Sequence, residues 1–134
     1  MHRLEFEARH RYDNKPSGIT VPVDLGYGGK RVRLDAKVDT GAEYCLFARG
    51  YGEILGIDIE KGERLELRTV NSSLVVYGHE VSLSVLGLDF QLIAYFPEDA
   101  TIRRSLLGRR GWLLQIRFGV VDYEQLIYLS PYGS

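Results

Sequence analysis

The chain has 134 residues, of which 45% are hydrophobic and 26% are charged, and its 17 basic and 18 acidic side chains leave a formal net charge of -1 at pH 7. This composition is typical of a globular domain with its own core, and the balanced charge argues against nucleic acid or an anionic membrane surface as a partner. No apolar run reaches the roughly 18 residues of a membrane span, and the N-terminus has no apolar signal block, so we expect a cytoplasmic protein with a single domain over residues 1–134.

The predicted elements begin with strands. Apolar and polar side chains alternate over residues 4–8, which indicates a strand with one face on a core. Residues 19–25 and 31–36 are β-rich runs on either side of a glycine-rich turn, and they predict a hairpin. Pro22 favours an edge position for the first of these two strands, because proline donates no backbone hydrogen bond.

The middle of the chain predicts one short helix and a long hairpin. Residues 51–55 could form a helix that ends at Gly56. Residues 64–70 alternate strictly, a polar tip at 71–73 interrupts the pattern, and residues 74–77 resume it before Gly78. We therefore expect two paired strands with a polar turn between them.

The last third of the chain continues this pattern. Residues 79–86 alternate and residues 90–96 are almost continuously apolar, so both predict strands. A second helix is predicted around residues 109–115, and residues 118–123 and 125–129 predict a closing hairpin. Many short strands at regular spacing favour an all-β fold, either a closed barrel or a sandwich.

Few side chains carry reactive chemistry. Cys45 is the only cysteine, which excludes an intrachain disulfide, and its apolar neighbours indicate a core residue. The three histidines are scattered, and His79 lacks the second histidine that a zinc-protease helix requires. We assign no metal and no cofactor.

The segment Asp39-Thr40-Gly41-Ala42 follows directly after the predicted strand at 31–36 and its extension. Glycine allows a sharp turn or a close backbone approach, and a threonine hydroxyl can bond to the main chain. The segment is compatible with an active-site loop that exposes Asp39 in a cleft. It is also compatible with an ordinary turn at a strand end, where these residue types are common.

A second segment, Leu106-Leu107-Gly108-Arg109, lies well downstream of Asp39. The Asp-Thr-Gly-Ala turn, the polar-tipped hairpin and this Leu-Leu-Gly-Arg segment together resemble the retropepsin-like aspartic proteases, the single-domain relatives of retroviral proteases. The resemblance extends over residues 19–131 and is strongest to bacterial members. It implies a closed acid-protease barrel of short strands, with a flap hairpin and one or two short helices.

The resemblance also implies roles for the first segment. Asp39 would be the catalytic residue, within an active-site loop completed by Thr40, Gly41 and Ala42. Thr40 would take part in a hydrogen-bonded brace across a dimer axis.

Leu106 and Leu107 would support that loop from behind, and Gly108 would allow the close backbone passage. The polar-tipped hairpin would act as a flap over a bound peptide. The residues assigned to this flap are Thr69, Val70, Asn71, Ser72, Ser73, Leu74, Val75, Val76 and Tyr77. The tip departs from retroviral flaps because it lacks glycine, although Asn71 can adopt left-handed backbone angles.

Two arrangements are open for the arginines near the second segment. Arg103, Arg104, Arg109 and Arg110 form a basic cluster, which fits a solvated face or contacts to carbonyls at a helix end. The same cluster also fits an anion site. Arg110 stands where many relatives of the family carry an acid or asparagine.

An aspartic protease requires two carboxyls that share one proton. The only other Asp-x-Gly begins at Asp24, 15 residues before Asp39, and lies in the first hairpin. A homodimer would therefore have to bring together Asp39 from each subunit. The function predicted is that of an aspartic endopeptidase acting on extended peptides; the alternative is a catalytically silent barrel that binds such peptides by β-augmentation.

Overall fold

The computed structural model describes residues 1–68 and 70–133. Within them the chain forms ten strands, one α-helix and three 3-10 turns. In chain order these are β1 (Ala8–Arg11), β2 (Thr20–Tyr27), β3 (Lys30–Val38), β4 (Cys45–Leu46), α1 (Arg49–Ile54), a 3-10 turn (Ile59–Lys61), β5 (Glu63–Arg68), β6 (Ser73–Val85), β7 (Leu88–Pro97), β8 (Leu106–Leu107), a 3-10 turn (Leu113–Gln115), β9 (Ile116–Val121), a 3-10 turn (Asp122–Glu124) and β10 (Leu126–Pro131).

Six of these strands close into a mixed barrel. The strands neighbour one another in the order β2, β3, β8, β4, β7 and β6, and the pairing of β6 with β2 completes the ring. Among the described strands, β5 pairs with β6 alone and extends the wall as a hairpin. The predicted all-β fold with a closed barrel is confirmed.

Alternate side chains along the wall strands point into the barrel and fill its interior. In β2, Val21, Val23 and Leu25 are at most 1% exposed, whereas the residues between them are only half-buried. Phe47 and Phe96 meet inside the barrel with ring centroids 6.3 Å apart, and both are fully buried. The alternation read from the sequence therefore marks the core face of the wall strands.

The edge position predicted from Pro22 is wrong. Strand β2 pairs with β3 along its whole length and with β6 from Val23 to Gly26. Pro22 lies one residue before the pairing with β6 begins, so its missing N–H removes no bond from that ladder. Because the barrel is closed, β2 is paired on both sides although it contains a proline.

A single long strand replaces two that the sequence predicts. Strand β6 runs from Ser73 to Val85 through Gly78, where the sequence predicts a break. Gly78 is buried, and a Cβ at this position would lie 2.8 Å from the Tyr95 ring. The glycine makes room for a neighbouring side chain and does not end the strand.

The helix predicted at residues 51–55 is confirmed, and it begins two residues earlier as α1. Gly56 follows it with a φ of +80°, the left-handed geometry common after helix ends. The second predicted helix, at 109–115, is wrong because only the turn Leu113–Gln115 is helical. Gly111 has a φ of +110°, which a right-handed helix does not allow. No helix in the described ranges is both long and apolar enough to traverse a lipid bilayer.

The two ends of the described chain form a separate three-stranded sheet in the order β1, β10, β9. The closing hairpin is confirmed as β9 and β10, whereas the first strand lies at Ala8–Arg11 and not at residues 4–8. Pairing with β10 begins where Ala8 faces Leu129. Leu4 is 61% exposed, so its apolar side chain has no core face to pack on.

The buried ring of Phe96 provides a test of this core. Phe96→Ala should lower the free energy of unfolding by about 3–5 kcal/mol, because it removes a fully buried aromatic side chain and leaves a cavity. Leu114→Ala is the matched control, since Leu114 is 62% exposed and exposed substitutions usually change stability by less than about 0.5 kcal/mol. Urea unfolding followed by Trp112 fluorescence measures both. Equal losses in the two variants would contradict the described core.

Candidate active site

The Asp39 loop begins where β3 ends at Val38. The Asp39 N–H donates to the Leu107 carbonyl over 3.0 Å, and the Ala42 N–H donates to the Asp39 carbonyl over 3.1 Å. The Gly41 N–H donates to the carboxylate Oδ1 of Asp39 over 2.9 Å. These three bonds fix a tight turn and hold the half-buried carboxylate in one orientation.

Strand β8 lies directly beside the residues that lead into the loop. It runs parallel to β3, with Leu106 opposite Lys37 and Leu107 opposite Val38. The Leu107 side chain is fully buried, whereas Leu106 is half-buried at the cavity side. Thus the structure brings the two predicted segments together across one strand pair.

Gly108 lies where the backbone passes closest to the loop. A Cβ on Gly108 would lie 2.2 Å from the Tyr44 carbonyl oxygen and 2.8 Å from that of Ala42. The next residue, Arg109, donates its N–H to the same Ala42 carbonyl over 2.9 Å. Only glycine leaves room for this crossing, because every other residue carries a Cβ.

Cys45 occupies the space behind this crossing. Its thiol is fully buried, and Sγ accepts the Gly108 N–H over 3.4 Å. Burial raises the pKa of Cys45 to about 11, so the thiol is protonated near neutrality and is a poor nucleophile. The prediction of a core cysteine is confirmed.

All four arginines are exposed, as expected for a solvated face. Arg110 pairs with Glu43, and this contact raises the pKa of the Arg110 guanidinium. Arg103 and Arg104 line different cavities, and Arg109 is exposed. The proposed helix end is absent because the predicted helix at 109–115 does not form.

Two adjoining cavities lie next to the Asp39 loop. The first, about 350 Å³ in volume, contains the Asp39 side chain. Its lining residues are Thr20, Asp35, Lys37, Asp39, Arg104, Ser105 and Leu106. The second, about 550 Å³, lies under the β5–β6 hairpin and is lined mainly by aliphatic side chains, including Leu46, Leu67, Leu74 and Ile102. Arg104 and Leu106 border both cavities, so the two are neighbours, and together they are called the groove below.

The predicted flap residues divide into two groups. Val70, Asn71, Ser72 and Ser73 form the exposed end of the β5–β6 hairpin, and Leu74 and Val75 are half-buried below it. Thr69, the remaining residue of the predicted tip, lies outside the described residues.

Val76 and Tyr77 belong to the barrel wall, because they pair with Pro97 and Phe96 of β7. The Tyr77 hydroxyl donates to Glu98 over 2.9 Å, and this bond raises the pKa of Tyr77. Both residues are buried, whereas residues 70–73 are the exposed end of the hairpin.

Lys37 was not expected at the site from the sequence, and Arg104 was expected only as part of a general basic cluster. Lys37 lies near the end of β3, two residues before Asp39, and Arg104 lies two residues before Leu106. This two-residue spacing was the signal that could have indicated both positions. The spacing alone did not show that the two positions lie near each other, because this depends on the pairing of β8 with β3.

Comparisons with known proteins support the fold. No protein-family model and no curated protein matches the chain. Among solved structures it is similar to a retropepsin-like aspartic protease from Rickettsia conorii, with a TM-score of 0.63 and 19% identity over 91% of this chain and 96% of that one. It is also similar to EIAV protease complexed with the inhibitor HBY-793, with a TM-score of 0.55 and 17% identity over 72% of this chain and 86% of that one. The chain therefore has the fold of these proteases, as the sequence resemblance predicted.

The crossing at Gly108 can be tested by adding one methyl group. Gly108→Ala should destabilise the protein by about 1–3 kcal/mol, because the new Cβ forces backbone carbonyls apart. Gly50→Ala is the control, since nothing lies within 4 Å of a Cβ at that position in α1 and alanine favours a helix. Urea unfolding compares the two. A Gly108→Ala protein as stable as Gly50→Ala would contradict the close passage.

Proposed function

We propose that this chain, which has the fold of retropepsin-like aspartic proteases, is an aspartic endopeptidase active as a homodimer, with Asp39 of each subunit as the catalytic carboxyl. The observation that carries the proposal is the fixed Asp39 carboxylate at the wall of a groove. It is oriented by the Gly41 N–H, and its backbone is tied to Leu107. A carboxylate held in this way is preorganised for acid-base chemistry.

The chemistry requires a second carboxyl at the same place. In the proposed reaction, one carboxylate removes a proton from a water molecule, whose oxygen attacks the peptide carbonyl carbon. The other carboxyl, which holds the shared proton, donates it to the carbonyl oxygen. Collapse of the tetrahedral intermediate then breaks the C–N bond, with a proton delivered to the leaving amine.

A second copy of the chain is the proposed source of that carboxyl. Asp24, the other Asp-x-Gly aspartate, lies within β2 and forms two hydrogen bonds of 3.0 Å with the Arg33 guanidinium. This pairing lowers the pKa of Asp24 and occupies its oxygens on the barrel surface. A two-fold axis next to the exposed Thr40 would bring two Asp39 loops together, and each loop would contribute equally to an isologous interface.

The groove fits an extended peptide. The aliphatic cavity under the β5–β6 hairpin can take an apolar side chain, and the exposed end of the hairpin can close over the backbone. Because side chains of an extended chain alternate and rise about 3.3 Å per residue, neighbouring residues would reach the two adjoining cavities. The proposed substrate is therefore a peptide or an unstructured protein segment.

Replacement of the Asp39 carboxyl by an amide tests the proposal. Asp39→Asn should lower kcat/KM for a casein-derived peptide by at least about a thousandfold, because the amide cannot take or give the shared proton. The fold should persist, since the amide oxygen can still accept the Gly41 N–H. Hydrolysis by purified protein, checked against unfolding curves, measures both effects.

Asp89→Asn is the matched control, because Asp89 is exposed at the start of β7 on the β6–β7 hairpin. It should retain the wild-type rate. Turnover by Asp39→Asn at the wild-type rate would contradict the assignment. Peptide binding by wild type without any cleavage would instead support the non-catalytic binding module.

A further inference from the structure

Arg104 occupies an unusual position, at the junction of the two cavities. It lines the cavity that contains Asp39 and also the aliphatic cavity under the β5–β6 hairpin. Its neighbour Ser105 accepts the Lys37 N–H over 2.9 Å, which holds this part of the chain against β3. The backbone next to Arg104 is therefore held against β3, at the wall of the cavity that Asp39 also lines.

Among the residues that the structure describes, Arg104 takes part in no salt bridge. It is exposed at the cavity wall. Arg110, by contrast, is neutralised by Glu43. A guanidinium offers a planar set of donors that matches a carboxylate in two parallel hydrogen bonds.

A second cation lies in the same cavity. Lys37 is half-buried, and its side chain runs over Gly18, where an added Cβ would lie 2.3 Å from the lysine Cε. Packing of the stem restricts where the ammonium group can lie. Asp35 also lines this cavity and is exposed. The cavity wall thus carries two cations, Lys37 and Arg104, beside the carboxyls of Asp35 and Asp39.

We infer that Arg104, with Lys37, selects substrates carrying an acidic side chain within about two residues of the scissile bond. This is the distance over which side chains of an extended peptide can enter adjoining cavities. The aliphatic cavity that Arg104 also borders takes an apolar side chain of the same peptide. This inference rests on the proposed function for the identity of the scissile bond. The recognition of acidic peptides itself does not require cleavage.

Cleavage of a random peptide library, read by mass spectrometry, tests the specificity. Wild type should favour Asp or Glu near the cleaved bond, with kcat/KM about fivefold higher for a Glu peptide than for its Gln counterpart, as for a good partly exposed ion pair. Arg104→Gln should abolish this preference through KM. Arg104→Glu should reverse it in favour of Lys or Arg.

Arg103→Gln is the matched control, because Arg103 is the adjacent residue with the same charge but lines a different cavity beside α1. It should keep the acidic preference. Loss of the preference in Arg103→Gln as well would overturn the inference, since a general surface charge would then explain it. A wild-type enzyme without acidic preference, or a preference unchanged in Arg104→Gln, would also overturn it.

Binding separates this inference from the proposed function. Fluorescence anisotropy with the Asp39→Asn protein compares the Kd values of labelled Glu and Gln peptides without hydrolysis. Tighter binding of the Glu peptide that disappears in the Asp39→Asn, Arg104→Gln double variant supports the inference even if no peptide is ever cleaved. Equal Kd values for the two peptides would contradict it.

Discussion

The architecture around the groove depends on the backbone contact between the Asp39 loop and β8. Strand β8 is only two residues long, yet it lies between β3 and β4 in the barrel. Its Leu107 carbonyl accepts a hydrogen bond from the Asp39 N–H. At the far end of the loop, the Ala42 carbonyl accepts a hydrogen bond from the Arg109 N–H. Bonds at both ends fix the turn, so that the carboxylate orientation is set by main-chain geometry and not by side-chain packing alone.

Barrel closure explains how a small chain holds a groove open. The strands of the ring satisfy each other's backbone groups, which leaves the β5–β6 hairpin free to extend beyond the wall. Val76 and Tyr77 anchor the base of that hairpin to β7, while its outer end borders the aliphatic cavity. The same wall therefore holds the Asp39 loop and carries an exposed hairpin.

The sequence predicted the wall strands well because one face of each strand is buried and the other is polar. The sequence was misleading where tertiary contacts override the local pattern. Gly78 lies within a strand, because the Tyr95 ring occupies the space that a side chain at this position would need. Gly111 interrupts the predicted helix, because its φ is +110°. The Asp39 and Gly108 segments were recognisable by motif. The position of Arg104 in the groove was not recognisable by motif. It follows from the parallel pairing of β3 and β8, which brings together residues far apart in sequence.

The central claim is that two chains contribute one Asp39 each to a single site. Mixing wild-type protein with Asp39→Asn protein at constant total concentration, after subunit exchange, tests it most directly. Because a mixed dimer would hold only one competent carboxyl, activity should fall as the square of the wild-type fraction. A linear fall with the wild-type fraction would show that each chain acts alone and would contradict the shared site.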